Sequence, residues 1–262
     1  MPGAITRLAP TPSGFLHEGN ALNFLLVSAL AQSIGADVAL RIDDLDVHRC
    51  RREYADDIFD VLGWLDIAWQ VGPRDRTDLE DRHSLRSRTE YYRAELDSAR
   101  ARGLDAFACR CTRTAIATSG GRSCVAACRE QAFNLVPGES ALRTSTPHGD
   151  VVLWRRDDLP AYHLASIIED RDLGTTHIVR GDDLRESTDI QRFLAPHFDA
   201  GNVANATFLH HRLITDDDGR KLSKSTMATG PMVRDDAGRA RLQSLISADD
   251  VPWLSPDASS ET

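Results

Sequence analysis

The spacing of apolar and polar residues changes along the chain, and each change predicts an element. "AITRLAP" (4–10) is a short run rich in strand formers that Pro10 and Pro12 end, which predicts a strand. "NALNFLLVSALAQSIG" (20–35) is apolar on nearly every face and predicts a buried helix closing at Gly35. "VALRID" (38–43) reads as a second strand, and "EYADDIFDVLGWL" (53–65) sets Ile58, Leu62 and Leu65 at helical spacing. "SLRSRTEYYRAELDSARARG" (84–103) predicts a long, polar-faced helix ending at Gly103.

The middle of the chain breaks this rhythm with a cysteine-rich patch and short strands, "VVLWRR" (151–156) among them. Alternation then resumes with "AYHLASIIED" (helix), "THIVRG" (strand), "RESTDIQRFLAP" (helix) and "ATFLHH" (strand). Strand–helix alternation on both sides of an irregular insert predicts an α/β fold, a Rossmann-like doubly wound parallel sheet split by a small insertion. The expected organisation is a first half over 1–103, an insertion over 104–150, a second half over 151–250 and a polar tail over 251–262.

Composition narrows the class without naming a function. The 262 residues are 41% hydrophobic and 27% charged, as in an ordinary globular protein. No run of about 18 apolar residues exists to span a membrane, and "MPGAITRLAP" lacks the basic-then-apolar pattern of a secretory signal. A cytoplasmic protein, acting as a monomer, is expected. A net charge of −9 argues against indiscriminate nucleic-acid binding. Arginines do cluster in "HRCRR" (48–52) and "DRHSLRSR" (81–88), and two readings stand: a solvated surface, or contact with an RNA backbone.

The choice of basic residue carries more information. Of 31 lysines and arginines, all are arginine except Lys221 and Lys224 in "GRKLSKST" (219–226). That stretch therefore calls for a compact ammonium on a flexible stem, where a planar fork will not serve. A P-loop is excluded, because neither lysine follows a glycine-rich run in the required pattern, and no G-x-G-x-x-G occurs. What exists is "RLAPTPSGFLHEGN" (7–20) at the first strand-to-helix turn. His17, Gly19 and Asn20 fall where free N–H groups and the helix dipole favour phosphate, and glycine allows a purine close to the backbone.

The pairing of "HEGN" with "KLSKS" resembles the two signatures of class I aminoacyl-tRNA synthetases. "TRLAPTPSGFLHEGN", "LRIDDLD" (40–46) and "THIVRGDDLREST" (176–188) are similar to the glutamyl subgroup, over roughly residues 5–226. The resemblance implies an ATP-dependent ligase, with Mg2+, in which Lys224 and its helper Lys221 meet the phosphates during attack by an amino-acid carboxylate. His17, Gly19 and Asn20 then lie on the other side of the triphosphate. A mobile point charge can follow the charge that builds on phosphoryl oxygens, which answers why these two residues are lysine.

A glutamate substrate brings charges that are costly to bury unpaired. The resemblance assigns its contacts to Arg7, Leu8, Ala9, Pro10, Thr11, Asp43, Tyr162 and Arg180, with the arginines forking onto carboxylates and Asp43 taking the ammonium. The subgroup usually carries Glu where this chain has Asp43, which bears on the length of the pocket.

Cys109, Cys111, Cys124 and Cys128 lie within one short insert, and Cys50 stands apart. In a reducing compartment they read as a tetrahedral zinc site or, failing that, as reduced buried thiols. The spacing resembles the Cys-x-Cys…Tyr-x-x-x-Cys zinc site of glutamyl-queuosine tRNA(Asp) synthetases, with Cys124 in place of Tyr. These resemblances imply activation of glutamate to glutamyl-adenylate. Transfer to the queuosine base of tRNA(Asp) would follow, with no anticodon-binding domain expected in the few residues after the lysine loop. The alternative is a synthetase-derived ligase acting on a small-molecule or carrier-protein acceptor.

Overall fold

A computed structural model describes residues 3–118, 121–124, 127–213 and 231–246. Lys221, Lys224 and the 251–262 tail lie outside the described residues. In chain order the elements begin with β1 (Ile5–Leu8), α1 (Glu18–Ile34), β2 (Asp37–Leu40), α2 (Arg52–Trp64), α3 (Arg76–Asp78) and α4 (Thr89–Ala101). β3 (Ala106–Cys109), α5 (Arg113–Thr118), β4 (Ala141–Thr146), β5 (Gly149–Trp154) and α6 (Tyr162–Asp172) follow. The last are β6 (His177–Gly181), α7 (Arg185–Leu194), α8 (Gly201–Ala204), β7 (Thr207–His211) and α9 (Asp236–Ile246). The chain divides into two compact units: Met1–Arg86 with Thr175–Arg185 and Ala206–Thr262, and Ser87–Gly174 with Glu186–Asn205.

The first unit contains two parallel strand pairs, β1–β2 and β6–β7, whose registers run Leu8 to Leu40 and Gly181 to His211. They are joined where the Thr176 N–H donates to the Ile5 carbonyl at 2.9 Å, just ahead of β6. α1 packs on this layer as a helix buried on most faces, through Leu22, Phe24, Leu25, Leu26, Val27 and Leu30. Each such side chain contributes about 1.5–3 kcal/mol when fully buried. Its end is set by Gly35, which takes the left-handed conformation (φ 65°) that closes a helix with least strain. α2 supplies Ile58, Val61 and Leu62 to the same core. Gly72 is obligatory: its φ is +109°, and a Cβ there would come within 2.0 Å of the Leu40 carbonyl oxygen.

The second unit is built on an antiparallel sheet in the order β3–β4–β5. Its helices α4 and α6 are linked by buried charge. Tyr92 donates to Glu169 at 2.7 Å, the Arg88 guanidinium lies 2.9 Å from the same carboxylate, and Arg171 pairs with Glu95 at 2.6 Å. The expected helix over 84–103 is shorter than its pattern suggested. Residues Leu85–Arg88 form a 3-10 turn and the α-helix starts at Thr89. The reason is a buried carboxylate elsewhere in the chain: Asp44 accepts the Leu85 N–H at 2.8 Å and the Ser84 hydroxyl at 2.6 Å.

Candidate active site and metal centre

In the first unit the chain leaves β1 and runs along the exit of β2. The Arg41 N–H donates to the Leu8 carbonyl, and the Asp43 N–H to the Pro10 carbonyl, both at 2.9 Å. The segment Arg7–Thr11 is thereby fixed against Arg41–Asp43, with Arg7 and Leu8 buried. α1 then starts on a capping box. His17 Nδ1 accepts the Gly19 N–H at 3.1 Å, while Asn20 Oδ1 accepts the His17 N–H at 3.1 Å. Because Nδ1 accepts, the neutral ring carries its hydrogen on Nε2. A Cβ on Gly19 would meet the His17 ring at 3.0 Å, so glycine there gives the imidazole its room.

One turn further, Asn23 joins the helix to the middle of β6 and the end of β7. Its amide donates to His211 Nε2 at 3.1 Å and to the Val179 carbonyl at 3.4 Å. His211 Nδ1 lies 2.9 Å from the Arg212 carbonyl, which can only accept, so Nδ1 bears the proton and Nε2 receives the Asn23 amide. Burial holds the His211 pKa below its ordinary value and keeps the ring neutral. Arg180, buried on β6, lays its guanidinium over the Phe208 ring at 4.7 Å.

Asp43 is held by a residue that sequence reasoning missed. Arg41 Nε lies 2.6 Å from Asp43 Oδ1 and Nη2 lies 3.1 Å from Oδ2, a two-pronged pair with the arginine side chain almost fully buried. The available signal was the spacing, since residues two apart on an extended segment share a face. Asn23 and His211 were also missed, because only the packing of α1 on β6 and β7 brings them together. The structure thus places Arg7–Thr11, His17, Gly19, Asn20, Asp43 and Arg180 in one unit. Tyr162 stands in the other unit, exposed at the first position of α6, with its ring 5.2 Å from that of His163.

The two arginine runs differ in their settings. Arg86 approaches the buried Asp44 at 3.4 Å, and Arg88 is engaged with buried Glu169. The side chains of Arg49, Arg51 and Arg52 are 66%, 64% and 75% exposed, and they reach Asp46, Glu53 and Glu80 at 3.9, 3.5 and 3.0 Å. Such exposed pairs contribute little to stability, about 0–1 kcal/mol each.

The second unit gathers the four expected cysteines. The sulfurs of Cys109, Cys111, Cys124 and Cys128 all lie within 4.8 Å of one another, with Cys111 3.6 Å from Cys124 and 3.8 Å from Cys128. Tetrahedral coordination at a Zn–S distance of about 2.3 Å requires sulfurs about 3.8 Å apart, so the donor set fits a thiophilic metal ion. Burial pushes the Cys109 thiol up to about 12 and raises Cys128 as well, so a metal entering here displaces protons. The β4–β5 hairpin supports the ligand loop. Asp150 Oδ2 accepts the Cys124 N–H at 2.7 Å, Oδ1 accepts the Ser145 hydroxyl at 2.6 Å, and Arg143 donates to the Asp150 carbonyl at 3.1 Å.

In the first unit parallel strands meet a capped helix N-terminus, and in the second four thiols converge. Residues 4–116 and 129–243 match the model of the catalytic domain of class I tRNA synthetases (E and Q), and the chain belongs to that family of ligases. Among individual proteins it is 37% identical over 242 residues to a glutamyl-Q tRNA(Asp) synthetase of Synechococcus sp., covering 88% of this chain and 77% of that one. A glutamyl-Q tRNA(Asp) synthetase of Rhodobacter capsulatus is 31% identical over 269 residues, covering 84% and 90%. A glutamate–tRNA ligase of Oleidesulfovibrio alaskensis is 32% identical, but the chain spans only 52% of its length. The fold is similar to the crystal structure of glutamate-tRNA synthetase from Elizabethkingia anophelis, with a TM-score of 0.65 and 22% identity over 85% of this chain and 53% of that one. Among the described residues no helix is long and apolar enough to cross a membrane.

Proposed function

We propose that the protein activates glutamate with ATP to glutamyl-adenylate and passes the glutamyl group to the queuosine base of tRNA(Asp). The observation that carries the reading is the N-terminus of α1, where the His17–Asn20 capping box lies one turn from the Asn23 link to Val179 of β6 and His211 of β7. The capping box satisfies the Gly19 and His17 N–H groups, so what this N-terminus offers a phosphate is the positive end of the helix dipole. The glutamate carboxylate attacks the α-phosphate and pyrophosphate leaves, while His17, Gly19 and Asn20 contact the nucleotide. Lys224, with Lys221, follows the charge on the phosphoryl oxygens; both lie outside the described residues. Arg7 and Arg180 take substrate carboxylates, Asp43 takes the ammonium, Leu8–Thr11 contact the amino acid, and Tyr162, in the second unit, is assigned a substrate-binding role. Arg41 fixes the carboxylate of Asp43 with its two-pronged grip.

In this reading the two parallel strand pairs belong to a Rossmann-like doubly wound sheet, and the 104–150 insertion carries a structural Zn2+ on its four cysteines. Mg2+ accompanies ATP. The protein works as a monomer in the cytoplasm. The names of the two relatives whose length the chain largely spans support queuosine in tRNA(Asp) as the acceptor. The test has two stages. Glutamate-dependent pyrophosphate exchange should proceed without tRNA, and labelled glutamate should pass to tRNA(Asp) bearing queuosine but not to the same tRNA bearing guanine. Label on a small molecule or carrier protein instead would establish the alternative ligase.

A further inference from the structure

The carboxylate of Asp57, on α2, is buried at the entry to α1. Its Oδ2 accepts the N–H of Leu16, the residue immediately before the His17 cap, at 2.7 Å. Its Oδ1 pairs with Nη2 of Arg234, which lies in the stretch leading into α9, and Arg234 Nη1 reaches Asp60 at 3.3 Å. The side chain of Asp57 is 2% exposed and that of Arg234 is 22% exposed, so water screens this pair weakly. A second pair repeats the pattern: Glu18, the first residue of α1, is joined to Arg241 of α9. α9 is seated in the α1 core through Leu242.

Two acids at a helix N-terminus complement its dipole, and for the same reason they oppose an incoming anion. Resting on the reading of the α1 N-terminus as the triphosphate site, we propose that Arg234 is a positioning residue that sets nucleotide affinity by neutralising Asp57. The carboxylate is then able to hold Leu16, and with it the His17 cap, without repelling the triphosphate. Arg234 itself touches neither nucleotide nor amino acid.

A plain structural staple and a charge compensator predict different results. Calorimetric titration of the full-length protein with ATP, and with adenosine as a probe lacking phosphate, separates them. Arg234→Gln should weaken ATP by about tenfold and adenosine by less than about twofold, because only the phosphates respond to the positive charge removed from beside Asp57. Asp57→Asn retains an amide oxygen for the Leu16 N–H, so the Asp57→Asn/Arg234→Gln pair should return ATP binding to within about threefold of the parent. Thermal melts establish that each variant is folded. Unchanged ATP affinity in Arg234→Gln, equal loss of ATP and adenosine, or no recovery in the double variant would overturn the proposal. A parent protein that binds no ATP overturns it together with the functional reading. A parent that binds ATP but shows no glutamate-dependent exchange overturns only the assigned amino acid.

Discussion

Replacing Asp150 by alanine should weaken metal binding at the four cysteines without removing a single sulfur. Asp150 accepts the Cys124 N–H at 2.7 Å and the Ser145 hydroxyl at 2.6 Å, so one carboxylate ties the third ligand to the β4–β5 hairpin. Gly149 brings the hairpin this close: its φ is +102°, and a Cβ there would come within 2.8 Å of the Arg122 carbonyl oxygen, two residues before Cys124. A hydrogen bond to a charged group contributes about 1.5–3 kcal/mol, and the partial exposure of this site reduces the sum of two. A loss of about 1.4–2.8 kcal/mol remains, equivalent to roughly 10–100-fold in affinity, the range found when the support behind a metal ligand is removed. The assay is zinc transfer from a chelator of known affinity into metal-free protein. Co2+ spectra report whether four thiolates still bind. Ser145→Ala, which removes the outer bond only, should cost less. A zinc affinity for Asp150→Ala within twofold of the parent would refute the argument, as would a parent protein that takes up no zinc.

Other outcomes follow from the first unit. Gly19→Ala pushes a methyl group against the His17 ring and should weaken ATP binding by roughly tenfold with little change in melting temperature, as read by calorimetry. Arg41→Lys cannot reproduce the two-pronged grip on Asp43 and should raise the KM for glutamate in pyrophosphate exchange more than that for ATP. Lys224→Ala should lower the exchange rate by roughly 10²–10³, and Lys224→Arg should not restore it; an unchanged rate in the alanine variant removes the role given to that loop. His211 binds its proton less readily folded than unfolded, so its contribution to stability is present above the unfolded pKa of about 6.5 and is lost as pH falls below it. Chemical denaturation of His211→Gln between pH 5 and 7.5 should show a shallower dependence than the parent.

Where a residue's role was set by its neighbours in sequence, the sequence revealed it. The α1 helix was legible because its apolar residues leave no polar face and a glycine stands where the left-handed turn is needed. The four-cysteine cluster was legible because thiols have few other reasons to crowd into one short insert, and the sulfurs do meet. His17 and Asn20 were legible as residues at a helix start, but their mutual hydrogen bonds show a further reason for the pair. The same two side chains that would face phosphate also hold the first turn in shape. What stayed hidden depends on partners far along the chain. Strand β4, "ALRTST", has a weak pattern because Arg143 occupies a buried position, and it does so by donating to the Asp150 carbonyl across the hairpin. The 3-10 turn before α4 answers to Asp44, some forty residues earlier in the chain. Asp57 reads in sequence as one more polar position on an amphipathic helix. Only the fold brings the Leu16 N–H and Arg234 to its two oxygens, and buried carboxylates of this kind connect the sequence-legible signatures to the scaffold that aims them.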